Sequence, residues 1–435
     1  MTPLLIVLLA AAPVADEGDE TPAWLNVRGG LPWTRFYLGT GGMVNIAFLG
    51  GSITEREGFR PRVEKKLQAK YPQVQFRFYN GGVSSTGSTT GLFRFNEAML
   101  AGGDWVSPPD KGMVAAFPAL VIAEAAVNDD QDERLSLDQA AWNLEGIART
   151  DGNPLIAGSD LMLVHFVNPS MLKTIQAGGT PTSIAAHEEV AEHYAIPSVN
   201  VAKEVARRID AGMLTWEQYG GTHPEPVGDE LAAELIVKAI IKAVDACEDD
   251  LNPVVLNDRK ARRNKKPLRS DAVDLALLLR PESDDEGTQK TFQRTVKFDN
   301  SWTVGVPDWS SAPGTCRKRF KTAACLFTDQ ADVTLTIDPT EEAITVLGLY
   351  ILAGPDAGAL EVRVPGEEAT TIQLYHPFSK NLHYPRTVLL YRSDQPPGGP
   401  IKVRVVKGEK GGTAVRIVGV GLGFIGSERL KTDEP

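Results

Sequence analysis

The stretch "VNIAFLGGSIT", residues 44–54, joins an apolar run of strand length to a glycine pair and a serine. Glycine lets a backbone turn tightly and lets it approach a ligand closely, so Gly50 and Gly51 predict a sharp turn at the end of the strand. Ser52 follows that turn. It is either a nucleophile presented at the end of the strand or the N-cap of the next helix.

The chain around this stretch alternates strand-like and helix-like segments up to about residue 245. In the segment after Ser52, Phe59, Val63, Leu67 and Tyr71 recur every four residues and Pro72 follows, which predicts an amphipathic helix. Further strands are predicted at 74–80, 119–127 and 160–167, and further helices at 137–148, 183–195, 201–212 and 228–244. This alternation predicts an α/β domain with a parallel sheet covered on both faces, where ligands bind at the carboxyl ends of the strands.

The character of the sequence changes after residue 246. Residues 247–270 are mostly polar and charged, and we interpret them, including the basic run 259–266, as a solvated linker. Residues 271–430 have little helical periodicity and many short strand-like runs separated by Gly, Pro and Asp, which predicts a β-sandwich or jelly roll. The strand-like runs are 291–299, 332–338, 343–351, 360–366, 387–392, 401–408 and 414–424.

Length and charge limit the function classes. The chain has 435 residues, 42% hydrophobic and 23% charged, which fits two or three globular domains. A formal net charge of -11 disfavours nonspecific binding to nucleic acid or to anionic lipid, since both need a basic surface. We therefore expect neither a nucleic-acid partner nor stable insertion of the mature chain into a membrane.

Residues 1–15, "MTPLLIVLLAAAPVA", form an apolar run of the length found in signal peptides, followed by small residues and an acidic segment. We predict a secretory signal and hence a secreted or periplasmic protein. An uncleaved anchor and a wrongly assigned start are the alternatives.

The cysteine content excludes a disulfide framework. Cys316 and Cys325 are near enough in sequence for one bridge in an exported protein, which leaves Cys247 free. No cluster of Cys and His has the spacing of metal ligands, so we expect no structural zinc.

Four stretches carry residues suited to acyl transfer, and each ends a predicted strand or precedes a predicted helix. They are "GGSIT" with Ser52, "NGGVSSTGS" at 80–88, "AVNDD" with Asn128, and "YGGTHPEP" with His223. A serine nucleophile needs an imidazole to take its proton, and the oxyanion needs fixed N–H donors. Singly, each residue has an ordinary explanation: Ser52 as a helix cap, Asn128 in a turn, His223 as a surface or capping residue.

In this order the four stretches resemble the SGNH, or GDSL-type, hydrolase superfamily of esterases and acylhydrolases. The resemblance covers about residues 40–246 and implies a flavodoxin-like three-layer α/β/α fold. It implies that Ser52 is the nucleophile, His223 the base, and Ser52, Ser85 and Asn128 the oxyanion hole. The family has glycine where this chain has Ser85; Gly82 and Gly87 are the alternatives.

The sequence departs from the family beside the histidine. The resemblance places an aspartate three residues before His223, where this chain has Gly220. Either a backbone carbonyl orients the imidazole or an acid comes from elsewhere, with Glu217 and Asp229 nearest in sequence. A third explanation is loss of activity.

The β-rich region resembles, more loosely, the jelly-roll modules that accompany some SGNH esterases acting on polysaccharides. The two resemblances together imply a serine esterase that releases small acyl groups such as acetate from carbohydrate, with no metal or organic cofactor. The alternatives are a noncatalytic carbohydrate-binding or cell-surface protein and a lipid or thioester acylhydrolase.

Overall fold

The computed structural model describes residues 21–100, 118–151, 158–247, 265–283, 286–339 and 344–426. The predicted signal at 1–15 and most of the predicted linker, residues 248–264, lie outside the described residues. Within the described part of the chain, no helix has the length and apolarity needed to cross a membrane.

The first half of the chain folds around a six-stranded sheet in the order β1-β6-β5-β4-β2-β3. Strands β2 to β6 are parallel, and the short β1 pairs antiparallel with β6 at the edge. The strands are β1 (Leu25–Asn26), β2 (Met43–Gly50), β3 (Gln75–Gly82), β4 (Leu120–Ala123), β5 (Asp160–His165) and β6 (Ser198–Asn200). Counted from β2, this is the flavodoxin-like strand order.

Helices cover both faces of this sheet. One apolar core lies against α3, α9 and α11, and a second lies against α4, α6 and α8. The helices are α1 (Pro32–Thr40), α2 (Ser52–Glu55), α3 (Phe59–Lys70), α4 (Ser88–Leu100), α5 (Ala126–Gln131), α6 (Leu137–Asp151), α7 (Pro169–Gln176), α8 (Thr182–His193), α9 (Val201–Asp210), α10 (Trp216–Tyr219) and α11 (Pro226–Asp245). The predicted three-layer α/β/α domain is confirmed.

The periodicity that predicted α3 has a direct structural meaning. Phe59, Val63 and Leu67 are at most 1% exposed and face the apolar core on one side of the sheet.

The strand predicted at 119–127 is too long. It ends at Ala123, and a new helix begins at Ala126; between them, the buried carboxyl group of Glu124 accepts hydrogen bonds from the Ser52 turn.

The second half of the chain forms two antiparallel sheets. One has the order β15-β12-β17-β10-β9, with β7 also paired to β17, and the other has the order β14-β13-β16-β11-β8. The strands are β7 (Leu275–Leu279), β8 (Val296–Phe298), β9 (Thr303–Gly305), β10 (Cys325–Thr328), β11 (Thr334–Ile337), β12 (Ile344–Ala353), β13 (Ala359–Arg363), β14 (Thr370–Gln373), β15 (Tyr384–Arg392), β16 (Ile401–Val406) and β17 (Val415–Phe424). One apolar core contains residues of both sheets, so the predicted β-sandwich is confirmed.

One predicted strand of this region is mostly helical. Residues 291–299 were expected to be extended, but α12 (Glu286–Thr295) occupies the first half and only β8 is a strand. Phe292 and Thr295, three residues apart, are both buried. That spacing places them on one face of a helix.

The sandwich packs against the α4 and α6 face of the α/β domain. Val273, Ala276 and Val346 join the apolar cluster around Phe93 and Trp142. At its edge, Arg149 donates to Asp274 at 2.7 Å from Nε, and both side chains are buried. The two halves of the chain therefore share an extensive apolar and ionic contact.

All three cysteines lie in the described part of the chain and none forms a disulfide, so the bridge considered between Cys316 and Cys325 is absent. Burial raises the pKa of the Cys316 thiol to about 11 and that of Cys325 to about 12. Both thiols are thus protonated at neutral pH and pack as small apolar side chains.

Candidate active site

The four sequence stretches converge at the carboxyl edge of the parallel sheet. Ser52 begins α2 directly after β2, and residues 80–88 connect β3 to α4. Asn128 lies in α5, just beyond β4, and His223 lies between α10 and α11. Since these strands are neighbours and parallel, their loops meet on one side of the sheet.

Ser52 and His223 contact each other. The Ser52 hydroxyl lies 2.8 Å from His223 Nε2, which is hydrogen-bond distance, although the two residues are 171 apart in sequence. Ser52 is partly buried, whereas His223 is exposed on its outer side. The two residues therefore have the geometry of a nucleophile and its base.

The turn that carries Ser52 requires glycine at position 51. A Cβ built on Gly51 would lie 2.1 Å from Asn128 Oδ1, far inside van der Waals contact. The absence of a side chain at Gly51 thus lets α5 approach the Ser52 turn. The close approach that glycine permits here is to a neighbouring side chain, whereas approach to a ligand stays a prediction.

Ser85 lies in a left-handed backbone conformation, with φ of 70°. That region favours glycine, the residue that the family resemblance places there. Among the described residues, no acceptor lies within hydrogen-bond distance of the Ser85 N–H group. The alternatives differ: Gly82 ends β3, Gly87 immediately precedes α4, and neither has a positive φ.

Asn128 is 3% exposed and its side-chain position is fixed. Its Nδ2 donates to Asp132 Oδ2 at 2.6 Å. One Nδ2 hydrogen is used in that bond, and an amide carries two, so the second is available to another acceptor. The neighbouring Asp129 does not form a turn with Asn128; its carboxylate accepts from the Ser88 N–H and contacts His187.

Neither acid considered for His223 reaches it. Glu217 is exposed, and Asp229 forms an ion pair at 2.6 Å with Arg56. Within the described ranges, no carboxylate contacts the imidazole.

Position 220 itself cannot carry the family's aspartate in this backbone. Gly220 ends α10 with φ of 102°, and a Cβ there would lie 2.1 Å from the Glu225 backbone nitrogen. The missing acid is therefore a consequence of how the chain turns from α10 toward α11.

Arg56 takes a place beside His223 that the sequence did not indicate. Its guanidinium donates to the Pro224 carbonyl and, at 2.6 Å, to Asp229. Partial burial, together with the positive charge of Arg56, lowers the pKa of His223 below its ordinary 6.5. The imidazole is thus neutral at neutral pH and able to accept a proton.

A buried carboxyl group lies beneath the Ser52 turn. Glu124 is 2% exposed, and its Oε2 accepts from the Gly51 N–H at 3.3 Å and from Thr54 Oγ1 at 3.0 Å. Burial raises the pKa of Glu124 to about 7. Its signal in the sequence is a lone charge within the apolar run "VIAEAAV", residues 121–127.

The sandwich also reaches the site. Arg317 Nη2 donates to Ser85 Oγ at 2.6 Å, and His376 Nε2 lies 2.9 Å from the Asp132 carbonyl oxygen. Both contacts join residues more than 200 positions apart. No local pattern in the sequence could have indicated them.

The sequence matches no protein-family model and no curated protein. Solved structures are similar. A two-domain esterase, CEX, active on acetylated mannans matches over 92% of this chain and 99% of its own, at 18% identity and a TM-score of 0.61.

Two further solved structures match. The form of a two-domain esterase (CEX) co-crystallised with mannopentaose matches at 18% identity and a TM-score of 0.61, over 92% of this chain and 98% of its own. A catalytic mutant of Axe2, an acetylxylan esterase from Geobacillus stearothermophilus, matches 47% of this chain and 95% of its own at 18% identity and a TM-score of 0.34.

The match to the acetylated-mannan esterase spans both halves of the molecule. It covers nearly the full length of each chain, so the order of the two domains is shared as well as their separate folds. The predicted architecture, an α/β/α domain followed by a β-sandwich, is thereby confirmed.

Proposed function

We propose that the chain is a serine esterase that removes small acyl groups, such as acetate, from carbohydrate. The observation that carries the proposal is the 2.8 Å contact between the Ser52 hydroxyl and His223 Nε2 at the carboxyl edge of the sheet. The neutral state of His223, favoured by burial and by Arg56, supports it. A base must be unprotonated before it can accept the serine proton.

In the proposed reaction, Ser52 Oγ attacks the ester carbonyl carbon while His223 Nε2 takes the serine proton. The carbonyl oxygen becomes an oxyanion, and the C–O bond to the sugar then breaks as His223 returns the proton to the leaving alkoxide. Water repeats the sequence on the acyl-enzyme and releases the carboxylic acid. His223 serves as base and then as acid in each half.

The oxyanion would be held by N–H groups from the loops that meet at the Ser52 turn. We assign the Ser85 N–H, which has no acceptor among the described residues, and the second hydrogen of Asn128 Nδ2. The Ser52 N–H is the third donor. Donors of this kind are already oriented before reaction, so they stabilise the developing charge without reorganisation.

Carbohydrate is the favoured alcohol for two reasons. The solved esterase with this two-domain fold is described as active on acetylated mannans. The sandwich also lies directly beside the site, with Arg317 and His376 at its edge. Export to a compartment that contains polysaccharide stays a prediction from residues 1–15, which N-terminal sequencing of the processed protein would test.

Hydrolysis of p-nitrophenyl acetate by wild type, Ser52→Ala and a control, Ser310→Ala on the sandwich surface, tests the proposal. We expect wild type and the control to be equally active and Ser52→Ala to fall to background. Turnover unaffected by Ser52→Ala would contradict the assignment. Background rates for all three enzymes, on longer acyl esters as well, would favour a noncatalytic carbohydrate-binding protein, for which Gly220 is the motivating observation.

Acyl length and alcohol are tested next with natural substrates. We expect release of acetate from acetylated mannan or xylan and a steep loss of rate on p-nitrophenyl esters longer than butyrate. Faster hydrolysis of long-chain esters or thioesters would favour the acylhydrolase alternative.

A further inference from the structure

The sandwich holds the loop that carries the proposed oxyanion donor, which we call the oxyanion loop, residues 83–87. We propose that Arg317 of the sandwich is a positioning residue for this loop, so that the second domain is part of the catalytic apparatus. The inference rests on the proposed function for its catalytic meaning, and on contacts between the domains for its structural content.

The first of these contacts is apolar. Val83, at the start of the oxyanion loop, is 2% exposed and belongs to a cluster otherwise made by the sandwich. The buried sandwich residues of this cluster are Cys316, Phe320, Cys325, Tyr350, Leu352 and Val418. One end of the loop is therefore anchored in the core of the other domain.

The second contact fixes Ser85 itself. Arg317 Nη2 donates to Ser85 Oγ at 2.6 Å, and Ser85 has φ of 70°. A residue with a side chain rarely adopts this conformation unless its surroundings impose it. A charge-assisted hydrogen bond from a guanidinium is strong and directional enough to provide such a restraint.

A third set of contacts holds the chain just before Ser85. Arg319 Nη1 donates to the Gly82 carbonyl at 2.5 Å and lies 3.4 Å from Glu55 Oε1. Glu55 Oε2 in turn accepts from the Ser84 N–H at 2.8 Å. Gly82 and Ser84, the residues that precede Ser85, are thus connected to one short segment of the sandwich, Ser84 by way of Glu55.

The positive charge of Arg317 also acts on Asp132, the hydrogen-bond partner of the second proposed donor. Burial raises the pKa of Asp132, and the charge of Arg317 opposes that rise, which favours the ionised form of this carboxyl. Asp132 accepts from Asn128 Nδ2 at 2.6 Å. The direct contact of Arg317 with a donor residue is the one with Ser85 Oγ, and the positioning role is assigned to that contact.

The test combines Arg317→Met, Arg317→Lys and Ser85→Ala with the double variant Arg317→Met/Ser85→Ala. Ser85→Ala keeps the backbone N–H and removes the hydroxyl. Arg404→Met, which breaks a surface ion pair on the far sheet of the sandwich, is the matched control. The readouts are kcat and KM for p-nitrophenyl acetate, the melting temperature, and amide hydrogen exchange in residues 83–87.

We expect Arg317→Met to lower kcat about tenfold, part of the roughly 100-fold that loss of a whole oxyanion donor costs, with little change in KM. Arg317→Lys should recover part of the rate, and Arg404→Met should match wild type. In the Ser85→Ala background the further loss from Arg317→Met should be small, because the hydroxyl through which Arg317 acts is gone.

Two kinetic results would overturn the inference. One is an unchanged kcat in Arg317→Met. The other is an equal loss in the presence and absence of the Ser85 hydroxyl, which would mean that Arg317 acts independently of that contact.

Hydrogen exchange keeps this test separate from the proposed function. Faster exchange of residues 83–87 in Arg317→Met, with a melting temperature like that of Arg404→Met, supports positioning even if the enzyme has no turnover. Unchanged exchange contradicts positioning whether or not wild type is active. Loss of Ser52-dependent hydrolysis in wild type, by contrast, would reject the esterase and not the loop contact.

Discussion

The proposed oxyanion side of the site, loop 83–87 and Asn128, is held by side chains from both domains, Arg317 and Asp132. On the other side, the base side, His223 is exposed and has Ser52 as its hydrogen-bond partner among the described residues. Partial burial and the charge of a cation, Arg56, lower the pKa of His223, and among the described residues no carboxylate contacts its imidazole. The comparison teaches that the proposed catalysis depends mainly on preorganised donors, and less on stabilising the imidazolium.

The largest expected effect is on the oxyanion side, in Asn128. Asn128→Ala removes a fixed donor, and we expect kcat to fall by about 100- to 1,000-fold with the fold retained. Asn128→Asp, which keeps the size but replaces the donor with an acceptor, should lose at least as much. Steady-state kinetics with p-nitrophenyl acetate measures both. A loss below about fivefold in either variant would remove Asn128 from the oxyanion hole.

Gly220→Asp tests whether the base side can be completed by restoring the family's residue. We expect no gain in rate and a loss of about 2 to 5 kcal/mol of stability, from the left-handed backbone and the clash with the Glu225 nitrogen. Urea unfolding measures the stability. Gly221→Ala, at the neighbouring positive-φ position with no close contact to a Cβ, is the matched control.

A faster and equally stable Gly220→Asp enzyme would contradict this account. It would mean that the backbone between α10 and α11 can adjust to admit the acid. The lack of an acid beside His223 would then be due to the residue at position 220 and not to the turn between α10 and α11.

Glu124→Gln tests the role of the buried carboxyl group beneath the Ser52 turn. The folded-state pKa of Glu124 is about 7, above the ordinary 4.5, so the folded state retains this proton to higher pH than the unfolded state. The free energy of unfolding that this group contributes therefore falls as pH rises from 4.5 to about 7, by up to about 1.4 kcal/mol per pH unit. We expect Glu124→Gln to remove that slope, measured as the difference between the two proteins in urea unfolding at several pH values.

One result would contradict the expected difference between wild type and Glu124→Gln. Parallel stability curves for wild type and Glu124→Gln over this window would show that Glu124 titrates normally. It would then not be held as an acid beneath the Ser52 turn.

The smallest expected effect is on the base side, in Arg56. Its positive charge disfavours the imidazolium, so Arg56→Met should raise the pKa of His223. The acid limb of the kcat/KM profile should move to higher pH, since a base with a higher pKa stays protonated further toward neutrality. Arg62 lies 3.8 Å from the same Asp229, so Arg62→Met serves as the control and should leave the acid limb in place. A shift to lower pH in Arg56→Met would contradict the assignment.

The sequence predicted elements of the α/β half from local features, whereas it brought the site residues together only through the family resemblance. The apolar period of α3 and the glycine turn before Ser52 are local features, and local features can be seen in the sequence. Family order brought Ser52, Asn128 and His223 together as candidates, and the structure places Ser52 and His223 within 2.8 Å. Their catalytic roles remain predictions.

The features that the sequence did not reveal depend on contacts between residues that are far apart in the chain. The short strand β6 has three residues and is stabilised by its neighbours β5 and β1, not by its own pattern. The partnership of Asp229 with Arg56, and that of Arg317 with Ser85, each join side chains more than 170 residues apart. Such pairs depend on how whole domains pack, which a linear pattern does not contain.

The most direct test of the central claim is mass spectrometry after treatment with diethyl p-nitrophenyl phosphate, which phosphorylates an activated serine. We predict one diethylphosphoryl group on wild type, located on the peptide that contains Ser52, with none on Ser52→Ala and much slower labelling of His223→Ala. An unlabelled wild type, or a label on another residue, would contradict the claim that Ser52 is a nucleophile activated by His223.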